Sequence, residues 1–147
     1  MRTCSVCEID KPLIDFYKKG TNRPGYMTLC KKCHDANTNK WRKENPDKFT
    51  NGRLERMFGI SLARYLEILD QQNGVCAICC KEEVALVGGS LRKLAVDHDH
   101  QCCPGKKNCG KCVRGILCSY CNAGLGFFRE DESSLIKAVN YIKGKQK

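Results

Sequence analysis

Residues 94–100 read LAVDHDH and put four side chains able to bind a metal or move a proton at consecutive positions, Asp97, His98, Asp99 and His100. Leu94 and Val96 alternate with Ala95 as in a short strand, and the polar cluster begins where that strand ends. On an extended segment alternate side chains share a face, so Asp97 and Asp99 would point one way and His98 and His100 the other unless a bulge rearranges them. A neutral imidazole, with an ordinary pKa near ~6.5, can take a proton from water at physiological pH. An EF-hand calcium loop is excluded, because Gln101-Cys102 break its D-x-D-x-[DN]-G order. Zinc ligation by the two histidines competes with softer thiolates elsewhere in the chain, and a solvated polar turn is the bland alternative.

Those thiolates are abundant: 13 cysteines among 147 residues. Five C-x-x-C pairs stand out, Cys4/Cys7, Cys30/Cys33, Cys76/Cys79, Cys109/Cys112 and Cys118/Cys121, and Cys80, Cys102 and Cys103 remain. A C-x-x-C on a tight turn aims two thiolates at one tetrahedral ion, and two such pairs close a zinc site. A disulfide framework fits poorly, since the count is odd and the N-terminal MRTCSVCEIDKP lacks the apolar run of an export signal. A thioredoxin-like redox pair needs a strand-to-helix setting that is not visible around any of the five. Cys4/Cys7 and Cys30/Cys33, 22 residues apart, predict an N-terminal four-cysteine zinc module around a small hairpin, with His34 a bystander. Cys76/Cys79 could close with Cys109/Cys112 or with Cys118/Cys121, and spacing alone does not choose. Cys102, Cys103, Cys109 and Cys112 form a third candidate set, although adjacent cysteines do not readily point at one ion; three sets would leave Cys80 free.

The elements that must position these groups are short. Mean hydropathy of −0.47 and 7% aromatics argue against one large apolar core, so the cysteines must supply stability that the core cannot. No segment approaches the ~18 consecutive apolar residues of a membrane span. The formal charge is +10, and because each four-thiolate zinc site carries −2, two sites lower it to +6 and three to +4. Distribution says more than the total. Residues 101–128 hold no acid but Lys106, Lys107, Lys111 and Arg114, and residues 36–64 hold seven cations against Glu44, Asp47 and Glu55. Two basic segments flanking a candidate site favour a phosphate backbone as partner over a merely solvated face. Residues 36–60 read as a basic helical connector interrupted at Asn45-Pro46. Ser61 is a predicted N-cap for LARYLEILDQQ, with Leu62, Tyr65, Leu66 and Leu69 on its core face. Asp131 is a predicted N-cap for a helix through Lys143, with Leu135, Val139 and Ile142 as a second core stripe.

Taken together, NGVCAICC, LAVDHDH and VRGILCSYCNAGLGFF resemble the recombination endonuclease VII family of phage nucleases, in the HNH or ββα-metal (His-Me finger) group, over roughly residues 61–143. With the N-terminal pairs, the resemblance implies an α+β protein: residues 1–35 a zinc module, 36–60 the connector, and 61–147 a small zinc-stabilised ββα-metal nuclease domain with flanking helices and a cysteine-rich insertion at 101–112. It implies that Cys76, Cys79, Cys118 and Cys121 bind one structural zinc tying the two ends of the ββα element together. By the same carry-over, Asp97 is a metal-binding carboxylate, His98 the general base, His100 a second histidine near the scissile phosphate, and Asn122 a metal-ligating amide. Asp99 has at most a supporting role, and Arg114 is a candidate contact to the phosphate backbone.

The implied cofactors are structural Zn2+ at two sites, with the third thiol set a further candidate, and a catalytic Mg2+ or Mn2+. The implied partner is DNA, branched or in recombination intermediates, cut by a homodimer in the host cytoplasm with no membrane association. The chain departs from the family's resolvases in having 25 residues after Asn122, enough for one helix, where they carry a long helical dimerising part. The N-terminal module could take over that task. An HNH nuclease that nicks or cuts duplex without junction preference, and a non-catalytic zinc DNA-binding module, remain as alternatives. RNA also stays open, since nothing in the sequence reads a 2′-hydroxyl.

Overall fold

The computed structural model describes residues 1–20, 23–103 and 109–144, so Lys106 and Lys107 of the basic stretch lie outside the described residues. Met1–Phe49 and Thr50–Lys147 form two compact units. In the first, β1 (Arg2–Thr3) pairs with β2 (Asp10–Lys11), and β3 (Phe16–Lys18) pairs with β4 (Tyr26–Cys30), both antiparallel. The core is Cys4, Phe16 and Cys30, with Cys7, Tyr26 and Cys33 packed around them. Such a small apolar centre needs the thiols as a cross-link. Helix α1 (Lys31–Glu44) begins directly after Cys30 and ends at Asn45, because Pro46 disfavours helical geometry in the residue before it. That proline then opens α2 (Pro46–Phe58), where its missing N–H costs nothing.

In the second unit, α3 (Leu62–Gln71) starts where predicted, the Ser61 hydroxyl accepting the Arg64 N–H at 3.1 Å. Its buried face is Tyr65 and Ile68, flanked by Leu62 and Leu69. Leu66, expected in that stripe, is exposed, since it lies a full residue step of about 100° beyond Tyr65 on the side away from Ile68. Strands β5 (Leu86–Val87) and β6 (Ser90–Leu91) form an exposed hairpin. Strands β7 (Ala95–His98) and β8 (Val113–Leu117) pair antiparallel and lead into α4 (Ser119–Phe127), completing a β-β-α unit. Leu94, Val96, Ile116, Leu117 and Cys118 meet Leu54, Ile60, Tyr65, Ile68 and Cys76 in one core. The Tyr65 hydroxyl donates to the Leu94 carbonyl at 2.9 Å and ties α3 to β7.

Strand β8 is held on its other side by a side chain. The Gln72 amide donates to the Ile116 carbonyl and accepts the Ile116 N–H, each at 2.9 Å, as a neighbouring strand would. Glycine is required at 115 for this, because a Cβ there would stand 2.9 Å from Gln72 Oε1. The last helix, α5 (Glu132–Ile142), is capped by the Asp131 carboxylate as predicted, but its stripe is not core. Val139 and Ile142 are exposed and no residue of α5 is buried, because no described element covers that face. Among the described residues no helix is long and apolar enough to cross a membrane.

One buried carboxylate locks the start of α4. Glu83, 6% exposed, accepts the N–H groups of Val84, Ala85 and Ser119 and the Ser119 hydroxyl at 2.7–3.0 Å. The Ala85 N–H, working against burial and joined by Ser119 and Val84, draws this carboxyl down to about 2. Glu83→Gln is therefore expected to cost about 1–3 kcal/mol at neutral pH, read as a lower urea midpoint. The ionic contribution is fully present above the ordinary value of about 4.5 and fades as pH falls from there toward about 2, so the gap between variant and wild type narrows only below about 4.5.

Candidate functional site

The polar cluster sits where β7 and β8 part. Asp97 opposes Gly115 and His98 opposes Val113, so the ladder skips Arg114. That irregularity sets Arg114 against Asp97, which is 8% exposed: Nε donates to Oδ2 at 2.7 Å and Nη2 to Oδ1 at 3.1 Å. A bidentate guanidinium is the partner that a buried carboxylate needs. Arg114 also donates to Glu130 Oε2 at 2.9 Å, and Glu130 in turn pairs with His100 Nδ1. The His98 and His100 rings meet edge to face, 4.4 Å between centroids, and Phe58 lies 6.3 Å from His98 on another side.

The charges follow from this packing. Burial lowers the His98 pKa, and the neighbouring His100 lowers it further, both favouring the neutral imidazole. Asp97 chiefly, with Glu130, pushes Arg114 upward. Burial works to raise Glu130, but Arg114 and His100 outweigh it and keep it ionised.

Of the predicted residues, Asp97, His98 and His100 come together through Arg114 and Glu130. Asp99 lines the same cavity as His100, Arg114 and Glu130 but is engaged in the turn: its N–H donates to the Cys112 carbonyl at 3.0 Å and its Oδ1 accepts the Gln101 N–H at 2.8 Å. Asn122 is exposed on the first turns of α4, which packs on β7 and β8, and its side chain makes no hydrogen bond among the described residues. Sequence reasoning missed Glu130. It lies 30 residues from His100 and is delivered by a turn in which Arg129 and Glu130 both adopt positive φ, 53° and 55°. The one signal available was that Glu130 is the first acid after the acid-free run 101–128.

The cysteines converge in three sets, Cys4/Cys7/Cys30/Cys33, Cys76/Cys79/Cys118/Cys121 and Cys102/Cys103/Cys109/Cys112, the sulfurs of each within 4.8 Å of one another. Each set could hold a metal ion. His34 belongs to none of them and instead stacks edge-on against Tyr17 at 5.1 Å. The first two sets are built alike, with a knuckle turn opposite a helix start. Cys30 and Cys118 are N-caps, and Cys33 and Cys121 sit in the first turns of α1 and α4, where free N–H groups favour thiolate. The Cys30 N–H leads in drawing Cys4 down to about 6. Burial opposes, but the Cys79 and Cys118 N–H groups draw Cys76 down to about 6 as well. A hydrogen bond that the Cys33 thiol donates to Cys30 chiefly pushes Cys33 up to about 12, and burial pushes Cys121 in the same direction. A divalent cation relieves such conflict by letting every thiol ionise.

Cys80 is not in a set. It closes the Cys76–Cys79 knuckle, its N–H donating to the Cys76 carbonyl at 3.0 Å, at a left-handed φ of 53°. Cys80→Gly is thus expected to raise stability by about 0.5–1 kcal/mol, because glycine adopts that φ without strain. A thermal melt with zinc counting checks it, and zinc loss in the variant would make Cys80 a ligand after all.

Residues 51–144 match the sequence profile of the recombination endonuclease VII family. The chain belongs to that family. Two of its similar relatives are the Gene 59 proteins of Mycobacterium phages D29 and L5. The D29 protein is 33% identical over 92 residues, 62% of this chain and 48% of that one, and the L5 protein 32% over 91 residues, 61% and 48%. The chain thus spans about half the length of the curated relatives it matches. Among solved structures, the ββα-Me type II restriction endonuclease Hpy99I aligns with 98% of this chain and 65% of its own, at 21% identity and a TM-score of 0.31. The match to the endonuclease VII family spans β7, β8 and α4 with the second cysteine set, and leaves the N-terminal set outside it.

Proposed function

We propose that this chain is a metal-dependent DNA endonuclease of the HNH (His-Me finger) type, hydrolysing phosphodiester bonds in branched or recombination-intermediate DNA. The observation that carries the reading is the meeting of His98 with His100 and the buried Asp97 at the strand end of the β-β-α unit. Asp97 and Asn122 offer hard oxygens, one charged and one neutral, which suits Mg2+ or Mn2+. Bound there, such an ion supplies charge stabilisation for the attacked phosphate and the leaving 3′ oxygen.

The chain's own residues do the rest. His98 accepts the proton of the attacking water. Glu130 holds His100 by Nδ1, leaving its other nitrogen to face the phosphate. Arg114 compensates Asp97 and fixes its rotamer, and the N–H groups of Nη1, which make none of these bonds, can contact the DNA backbone. The products carry 5′-phosphate and 3′-hydroxyl ends. Zn2+ in the first two cysteine sets stabilises each unit from within, a homodimer presents two sites to a junction, and the phage relatives support action in the host cytoplasm.

The test is cleavage of a labelled four-way junction beside a linear duplex of the same sequence, with Mg2+ added or withheld and His98→Ala as control. Symmetric cuts near the branch, absent from the duplex and lost in the variant, are expected. Cutting of both DNAs would remove junction specificity and keep the nuclease. Binding of both without cleavage would leave a non-catalytic DNA-binding module.

A further inference from the structure

We propose that Cys102, Cys103, Cys109 and Cys112 bind a zinc ion of their own, and that this ion locks the turn of the β7–β8 hairpin that carries His98 and His100. The first half stands on the thiol geometry alone, and the second rests on the nuclease reading.

The sulfurs are spaced as ligands. Cys102–Cys109, Cys109–Cys112 and Cys112–Cys103 lie at 3.9, 3.7 and 3.6 Å. A tetrahedral zinc with Zn–S bonds of about 2.3 Å separates its sulfurs by about 3.8 Å, whereas a disulfide needs about 2.05 Å. The objection that adjacent cysteines diverge is met by the backbone. The chain turns at Gln101–Cys102, the Cys103 N–H donating to the Asp99 carbonyl at 3.1 Å, and Cys103 points inward while Cys102 stays at the surface. The Cys109 N–H donates to Cys103 Sγ at 3.3 Å, the kind of bond that supports a thiolate ligand. Four thiols this close, unbridged and partly exposed, would repel one another once ionised, and a divalent cation removes that repulsion.

The set is also coupled to the histidines. Gly110, at φ 76°, is pressed against the loop after α2, where a Cβ would stand 2.3 Å from the Gly59 carbonyl oxygen. Gly59 follows Phe58, whose ring packs beside His98. On the other side, Asp99 joins the turn to Cys112 and is flanked by His98 and His100. An ion in this set therefore bears on the histidine segment by two routes, through Cys112 to Asp99 and through Gly110, Gly59 and Phe58 to His98. Unlike the other two sets, this one has two exposed members, Cys102 and Cys109.

The full chain, purified with zinc, is expected to hold three zinc ions by native mass spectrometry, and Cys109→Ser/Cys112→Ser two. Two ions in the wild type, or three in the variant, would overturn the site. Should the variant fail to fold, iodoacetamide footprinting of the wild type decides: exposed Cys80 alkylates at once, while Cys102 and Cys109 react only after a chelator is added. Alkylation of all three at one rate would overturn the proposal. The locking role is read from the imidazole resonances of His98 and His100, which should shift or broaden in the folded variant. Unchanged resonances would refute the locking. Absence of cleavage by the wild type would count against the nuclease reading and leave the zinc count untouched.

Discussion

His98→Ala is expected to slow phosphodiester cleavage by about 10²–10⁴-fold, the usual yield of a positioned general base. The fold should survive, because the half-buried His98 ring contributes only edge contacts to Phe58 and His100, worth about 0.5–1.5 kcal/mol each at most. Single-turnover cleavage with saturating metal measures the loss, and a thermal melt confirms that the variant is folded. Added imidazole should restore part of the rate if the lost group is a base rather than a support. A folded variant that keeps more than about a tenth of the rate would move the base to His100, since a positioned base is worth at least about 10²-fold.

Cys118→Ser is expected to unfold the unit Thr50–Lys147. Cys118 is buried, caps α4 by accepting the Cys121 N–H at 3.4 Å, and faces Cys79 Sγ at 3.8 Å. Its set joins the turn after α3 to the junction of β8 and α4. Structural zinc in such sets supplies about 10–16 kcal/mol of folding free energy, against a net stability of about 5–15 kcal/mol for an ordinary domain. Losing the ion would therefore remove about as much as such a unit has, and losing one buried thiolate ligand weakens its hold. Loss of the cooperative melt and of β-β-α amide dispersion by NMR would show it, and chelation of the wild type should reproduce both. A zinc-free protein with an unchanged melting midpoint would refute the structural role.

Much of this architecture was legible because its causes are local. The Ser61 and Asp131 caps each need one side chain and an N–H three residues on, so position in the chain is enough to read them. The break at Asn45-Pro46 depends on one ring and one neighbour. The alternation of Leu94, Ala95 and Val96 pointed to a strand there, but β7 runs on through Asp97 and His98, because pairing with Gly115 and Val113 of β8 extends it past the apolar run. The periodicity of α3 pointed to a buried face but chose Leu66 over Ile68, a difference of 200° on the helical wheel that only the facing strands resolve. The stripe on α5 looked the same as that on α3, yet no described element covers it.

The chemistry available is legible in the residues alone: thiol pairs spaced for tetrahedral ions, two histidines and an acid at the end of an alternating apolar run, and two basic segments, of which 101–128 holds no acid. The sequence left open which pairs share an ion, because C-x-x-C spacing constrains two ligands within a turn and says nothing of the turn they meet. Tertiary structure decided that Cys76/Cys79 close with Cys118/Cys121, since β8 delivers the start of α4 beside the turn after α3. It also decided the partners of the acid. Arg114 reaches Asp97 through an irregular strand register, and Glu130 reaches both Arg114 and His100 through a left-handed turn, neither of which has a period that a sequence can display.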